Sequence, residues 1–481
     1  MIITVVLLAF LLRLIGLDQS FWLDESIGVI EVSKHGINGL LTQFLGVDNH
    51  PPLYYLFLDI WSSVFGYSEV SVRMLTVLFG VGTVYVTYLI CRELLPKEKN
   101  FAIITCLLLA TSQFHIYYSQ EARMYSQAAF FASLAIYLFL KLLENTKNKQ
   151  YGLWLLFSSC LVALFFSDYM PILLWPIFPI IGLVRKLPKR WWFMFFLSHL
   201  PLIFLGLLWL PTFLVQIQGG KWVLATLPAW KDVAGGATFK NAILVWMKFV
   251  LGRISFYNKL LYYSLVTIAS VPILLSIIFS LYSFKKYLII FLWLTIPLLL
   301  GFVMSIFFPA FNYFRFTYVI PSFYIVVGLG LWSLKNINLR GLLAGLIITF
   351  NFLSFSIYNF DQNQQREQWR QATEFLEMQA EKDDIVLFEF PEPFAPYRWY
   401  QKGKLKALGA TDSISANKGA TENKLNNTIA DVERIYHFEY LRDLSDPNNI
   451  VINYLQDNGF EKSKIYNQFV GVGSISLWSK E

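Results

Sequence analysis

The 481-residue sequence is poor in charge. Asp, Glu, Lys and Arg make up only 15% of it, whereas soluble domains carry about 25%. That shortage excludes an ordinary water-soluble enzyme of this length. Cysteine is scarcer still. Cys91, Cys106 and Cys160 lie in or beside apolar stretches and lack metal-ligand spacing. They exclude a disulfide framework and read as small core hydrophobes. The sequence holds no phosphate-binding P-loop, no zinc-protease helix and no Gly-rich dinucleotide turn. It has no internal repeat and no low-complexity tract. The net charge of +7 does not point to nucleic acid, because most Lys and Arg of the apolar part fall in short loops.

What abounds is apolar length. Hydrophobic residues make up 56% of the chain and aromatic residues 18%. They fall in blocks of about 17–25 residues, and a helix of about 20 residues crosses the hydrocarbon core of a bilayer. Eleven spans are predicted, at 1–17, 71–91, 101–118, 124–143, 151–167, 170–185, 191–215, 260–283, 287–308, 316–333 and 341–358. Trp191, Trp192, Trp222, Tyr262 and Tyr263 flank these blocks as an interfacial belt.

Alternate loops are basic: Arg92, Lys97 and Lys99; Lys141, Lys147 and Lys149; Arg185, Lys186, Lys189 and Arg190; Lys285 and Lys286; Lys335 and Arg340. The positive-inside rule makes these loops cytoplasmic. The N-terminus is then cytoplasmic too. Loops 18–70, 119–123, 168–169, 216–259 and 309–315, and the whole C-terminal tail, face outward. The first span reads as an uncleaved helix, since it lacks a basic leader and a small-residue cleavage site and Arg13 interrupts it. An arginine there either meets a partner or a wet cavity, or snorkels outward from the helix end.

Residues 359–481 read as a soluble domain. An amphipathic helix is predicted over 366–380, with Trp369, Ala372, Phe375, Leu376 and Gln379 at roughly helical spacing. Strands are predicted at 384–390 and 474–478, and a helix at 450–455. Residues 411–430, rich in Ser, Thr, Asn and Lys, read as a loop. The expected fold is mainly α. A polytopic helical bundle occupies 1–358, with outer loops 18–70 and 216–259, and a small extracytoplasmic α/β domain occupies 359–481.

The outer loops carry the candidate chemistry. Asp24 and Glu25 follow Phe21-Trp22-Leu23 just past the first span. Adjacent carboxylates in a partly desolvated place repel, which raises a pKa and suits a general base. The same pair also suits the start of a helix over 25–35, where acids complement the dipole. Farther along the loop, Asp48-Asn49-His50 precedes Pro51-Pro52-Leu53-Tyr54-Tyr55. The prolines open a helix over 53–66 that lies in the membrane interface. His50 is then placed near lipid headgroups, as a ligand-binding or merely a surface residue.

Glu121 and Arg123 mark the next outer turn, Arg73 opens the second span and Arg315 precedes the tenth. Each serves as an interfacial anchor or as part of a site. Outer arginines oppose the positive-inside bias, and guanidinium groups grip phosphate through paired contacts. Loop 216–259 spreads Lys221, Lys231, Lys240, Lys248, Arg253 and Lys259 among Trp222, Trp230 and Trp246. This is too dispersed for a motif. It reads as a lid over a lipid-linked anion or as an interfacial segment.

Five ordered motifs make the sequence recognisable: Leu12-Arg13-Leu14, Trp22-Leu23-Asp24-Glu25-Ser26, His50-Pro51-Pro52-Leu53-Tyr54-Tyr55, Ser71-Val72-Arg73-Met74 and Ser119-Gln120-Glu121-Ala122-Arg123-Met124-Tyr125. Together they resemble the GT-C superfamily of membrane glycosyltransferases. The likeness is to the branch of protein O-mannosyltransferases and aminoarabinose transferases, with its bacterial lipopolysaccharide-core members. Arg315 to Pro321 resembles the start of a late span of that branch, and the tail from Arg366 resembles its soluble domain.

The resemblance implies a polyprenyl-phosphate sugar donor, a lipid, glycan or protein acceptor, and a multi-pass protein of a bacterial inner or plasma membrane. It implies Asp24 as catalytic carboxylate with Glu25 beside it. Arg315, Arg123, His50 and Arg73 would bind the donor phosphate, and Glu121, Arg13, Asp48 and Tyr54 would shape the site. In the relatives an acidic metal ligand precedes the basic residue that His50 matches. Here Asn49 stands in that place and Asp48 one position earlier, so a divalent cation is left open. The competing readings are a transporter or flippase of a lipid-linked sugar, and a non-catalytic membrane subunit.

Overall fold

The computed structural model describes residues 1–144 and 150–480. Lys147 and Lys149 of the second basic loop lie outside the described residues. Contacts divide the chain into two units. One comprises 1–17, 36–217 and 234–364; the other comprises 18–35, 218–233 and 365–481.

The first unit is helical. Among the described residues, seven helices are long and apolar enough to cross a membrane: Glu69–Leu94, Tyr125–Glu144, Lys189–Thr226, Lys259–Ser283, Leu288–Phe307, Tyr313–Ser333 and Ile337–Phe360. The pair Lys99–Thr111 and Gln113–Ser119, bent by 63°, makes an eighth if counted as one span. Shorter apolar helices at Ile2–Leu14, Tyr151–Ser167 and Met170–Val184 occupy the other predicted positions, and Leu53–Phe65 forms the expected loop helix.

The bent pair shows how a span is broken at tolerable cost. In hydrocarbon each unsatisfied backbone group costs several kcal/mol, and a break frees carbonyls at the end of the first half. Asn351 Nδ2 donates to Leu108 O at 3.2 Å, and Arg13 Nη1 donates to Ala110 O at 3.3 Å. The Ser112 hydroxyl accepts the His115 N–H and caps the second half. Arg13 is fully buried. Its Nη2 lies 2.7 Å from His115 Nδ1, and its Nη1 also donates to Ala9 O at 2.7 Å. Of the two expectations for Arg13, internal partners hold and outward snorkelling does not.

Two glycines mark close helix approach, as membrane helices use small residues to bring backbones together. A Cβ at Gly330 would stand 1.6 Å from Ser276 O, and one at Gly328 would stand 2.1 Å from Thr105 Oγ1. The three cysteines are buried and unbridged. The segment expected as outer loop 216–259 is mostly helical. Lys189–Thr226 runs well past its predicted end, and Trp230–Ala234 and Phe239–Leu251 follow.

The second unit is an α/β sandwich. Its strands are β1 Ile385–Phe388, β2 Lys406–Gly409, β3 Arg434–Phe438, β4 Phe460–Tyr466 and β5 Ile475–Lys480, in spatial order β2-β1-β3-β5-β4. β1 runs parallel to β2 and β3, pairing Ile385 with Lys406 and with Ile435. β5 runs antiparallel to β3 and β4. Successive strand residues point to opposite faces. Val386, Phe388, Tyr436 and Phe438 pack with Trp369 and Leu376 on one side. Ile385, Leu387 and Ile435 pack with Leu425, Ile429, Val451 and Trp478 on the other. A strand covered on both faces reads as an unbroken apolar run, which is why β1 was legible.

The expected helices appear at Trp369–Gln379 and Ile450–Asp457. The expected loop 411–430 is corrected: Lys418–Ile429 is a helix. Asn417 caps it by accepting the Ala420 N–H, and Thr421, Leu425 and Ile429 form its buried stripe. Polar composition hid a short helix whose inward face is only three residues long.

Candidate functional site

Residues 18–35 group with the C-terminal residues. Helix Leu23–Lys34 starts two positions earlier than expected, so Asp24 and Glu25 both lie in its first turn. Glu25 is fully buried and accepts the Trp22 N–H at 3.4 Å, the acidic half of a capping box. Asp24 is half-buried. Its unit brings a third carboxylate near, that of Glu367. Burial above all, and then the charge of Asp24, push the Glu367 carboxyl up to about 7. Nothing in the local sequence around Glu367 marks it; only the fold brings it to Asp24.

The membrane unit gathers the basic residues. Arg123 is buried, with Nη1 donating to the Tyr55 hydroxyl at 3.0 Å and Nη2 lying 3.3 Å from both His50 ring nitrogens. His50 Nδ1 lies 3.1 Å from each Asp48 oxygen. Burial raises the Asp48 carboxyl, but His50 and then Arg123 and Tyr55 outweigh that and hold it below the usual range. Gln216 fixes this loop by donating to Leu45 O at 2.7 Å and His50 O at 3.0 Å. The Tyr169 hydroxyl in turn donates to Gln216 Oε1 at 2.6 Å. Tyr54 is buried, its ring packed edge-on to Tyr55 at 5.5 Å.

Glu121 is buried in the same turn as Arg123, its carbonyl accepting the Arg123 N–H at 2.7 Å. Arg73 is fully buried and donates to Leu17 O at 2.9 Å. An aromatic wall leads on from the turn. Tyr118 packs on Tyr125, Tyr125 on Phe314, and Phe314 on Tyr313 at 5.5–5.7 Å. Arg315 lies 5.7 Å from the Phe314 ring, makes no ion pair among the described residues, and keeps a buried Nε with no hydrogen-bond partner.

Two cations that the sequence left dispersed join this wall. Arg253 donates to the Tyr313 hydroxyl and lies 5.2 Å from the Tyr117 ring. Its N–H donates to Gln113 Oε1 at 2.6 Å. Lys248 donates to Ile254 O at 2.8 Å and lies 5.6 Å from the Tyr262 ring. Burial, reinforced by Arg253 and Lys259, pushes its amine down to about 7. No recognisable motif marks Lys248 or Arg253, and only the fold of 239–259 brings them to the wall. Asp48 and His50 offer two ligand groups, and among the described residues no cluster of three His, Cys, Asp or Glu forms.

Beside the His50 loop lies an apolar cavity of about 410 Å³. Pro52, Leu53, Leu56, Phe166, Leu208 and Trp209 contribute to its lining. The arrangement can hold an anion against guanidinium and aromatic groups and an apolar chain next to it.

Residues 49–215 match the family described as dolichyl-phosphate-mannose-protein mannosyltransferase. An uncharacterized protein of Aquifex aeolicus is 32% identical over 117 residues, covering 24% of this chain and 23% of that protein. Among solved structures, ArnT from Cupriavidus metallidurans bound to undecaprenyl phosphate superposes with a TM-score of 0.56 at 11% identity, covering 99% of this chain and 97% of that one. The archaeal oligosaccharyltransferase AglB from Archaeoglobus fulgidus, in complex with an inhibitory peptide and a dolichol-phosphate, gives 0.55 at 13% identity, covering 98% and 75%.

Proposed function

We propose that this chain, which has the fold of the GT-C membrane glycosyltransferases, moves a sugar from a polyprenyl-phosphate donor to an acceptor at the non-cytoplasmic face. The observation that carries the reading is Arg315, a cation with no ion pair among the described residues, beside the Tyr125–Phe314–Tyr313 wall. Such a group suits a phosphate brought in from the membrane. Arg123 and Arg253 extend the cationic field, and the apolar cavity beside the His50 loop suits the lipid chain.

Chemically, a lipid phosphate leaves readily once its charge is stabilised, and fixed cations in a poorly hydrated cleft do this well. The acceptor hydroxyl or amine needs a base. Asp24 fills that role, and such bases contribute about 10²–10⁴-fold in rate. One displacement at the sugar carbon inverts its configuration, by analogy with inverting glycosidases. Glu25, spent on the helix cap, supports Asp24 by fixing the turn that carries it. Arg73, Glu121, Tyr54 and Asp48 shape the site from buried positions.

The bent pair Lys99–Thr111 and Gln113–Ser119 is the one feature that favours a transporter, since transporters bind substrate at broken helices. Here Asn351 and Arg13 take two of its freed carbonyls, which fits a structural break better than a substrate site. Mass spectrometry of cell-envelope glycans with and without the gene tests the reading. Loss of one glycosylated product supports it, and an unchanged glycan profile contradicts it.

A further inference from the structure

The stretch 366–370 holds the chain just ahead of Asp24 at Asp18, Gln19, Ser20 and Leu23, all within the C-terminal unit. Arg370 Nη2 donates to Asp18 O at 3.0 Å, and the Arg366 N–H donates to Gln19 Oε1 at 3.0 Å. The Ser20 hydroxyl donates to the Glu367 carbonyl, and the Leu23 N–H donates to the Glu367 carboxylate. Phe21 N–H donates to the Tyr400 hydroxyl at 2.7 Å. The Glu367 carboxylate is held from its other side by Trp369 Nε1 at 2.6 Å and the Tyr440 hydroxyl at 2.9 Å. Gly471, at φ +77°, closes over the same side chain, and a Cβ there would stand 2.7 Å from Glu367 Cγ. Only a residue free of side chain fits both the conformation and the space.

We propose that Glu367 is a positioning residue for Asp24: it fastens the loop that carries Asp24 to the start of helix Trp369–Gln379 and sets a second carboxylate within electrostatic reach. The inference rests on the reading of Asp24 as the base. A single side chain thereby ties the C-terminal residues to the loop that carries the base.

The physics of the pair follows from its surroundings. The groups facing Glu367 are Asp24, Tyr440 and Trp369, with Arg366 and Arg370 next to it in the chain. Two carboxylates in a poorly hydrated place resist being charged together. Below about 7 Glu367 keeps its proton and adds no charge beside Asp24. As pH rises toward that value, keeping the proton on Glu367 beside Asp24 becomes costlier and the loop is held less firmly. Tyr440 stays a donor throughout, because burial and then the two carboxylates push its hydroxyl well up.

The test uses the full chain in detergent and, in cells, the envelope glycan product. Amide exchange over 18–24, corrected for intrinsic rates, should rise about tenfold between about pH 6 and 8 in the native chain. Glu367→Gln, which keeps an acceptor for Trp369, should abolish that rise and retain most of the product. Glu367→Ala should lower the product by about 10²-fold, the scale of a small misplacement of a reacting group. If Glu367→Gln and Glu367→Ala both match the native chain in exchange and product while Asp24→Asn is inactive, the inference is overturned and the base survives. If Asp24→Asn stays active, the base reading falls and takes the catalytic role of Glu367 with it. Should Glu367→Ala not fold, the pH profile of Glu367→Gln decides alone.

Discussion

At the residue scale the proposed chemistry depends on where carboxylates and guanidiniums are held. Asp24 stands out as a candidate because its motif is local and distinctive. Glu367 does not, since its role depends on chain folding back onto residues 18–24. Its raised pKa makes a stability prediction. The folded state holds the Glu367 proton up to about 7 and the unfolded chain releases it near 4.5. Stability from this group is therefore full below 4.5 and is lost as pH rises toward 7. Thermal unfolding of the native chain should show that decline, and Glu367→Gln should flatten it; an equal slope in both would contradict the assignment. At Arg315 the expectation concerns binding. Arg315→Ala should weaken donor binding by about tenfold or more and leave acceptor binding nearly unchanged, measured as separate KM values. Equal losses for both would count against a phosphate role.

At the element scale the apolar spans were readable from length alone, because a bilayer sets how much helix must be apolar. The break after Thr111 was not readable: the run 101–118 looks continuous, and its interruption depends on Arg13 and Asn351 arriving from other helices. Arg13 illustrates the point. The sequence left it a choice between partner and snorkel, and burial against His115 decided it. Helix Lys418–Ile429 was missed for the opposite reason, as its buried stripe is too short to outweigh polar composition. Close packing gives the sharpest test here. Gly330→Ala should push its helix off the Ser276 backbone and cost about 1–3 kcal/mol, as overpacking does. A melting temperature in detergent equal to the native value would show that the two helices are not in close contact.

At the scale of the whole molecule, loop charge predicts the side on which each part lies. The C-terminal unit, with Asp24 and Glu367, should face outward. The three native cysteines are buried, so a single exposed thiol reports cleanly. Lys418→Cys should react with a membrane-impermeant maleimide in intact cells, and labelling only after lysis would reverse the topology. The fold class was legible because long apolar spans are strong signals. The sheet order and the grouping of 18–35 with the C-terminal residues depend on long-range packing and were not.

The central claim is that the chain transfers a sugar with Asp24 as the base. The most direct measurement is mass spectrometry of envelope glycans in cells lacking the gene and supplied with either the native chain or Asp24→Asn, at matched membrane levels. The account predicts that the native chain restores the missing glycosylated product and that Asp24→Asn does not. Restoration by Asp24→Asn at the native level would contradict it.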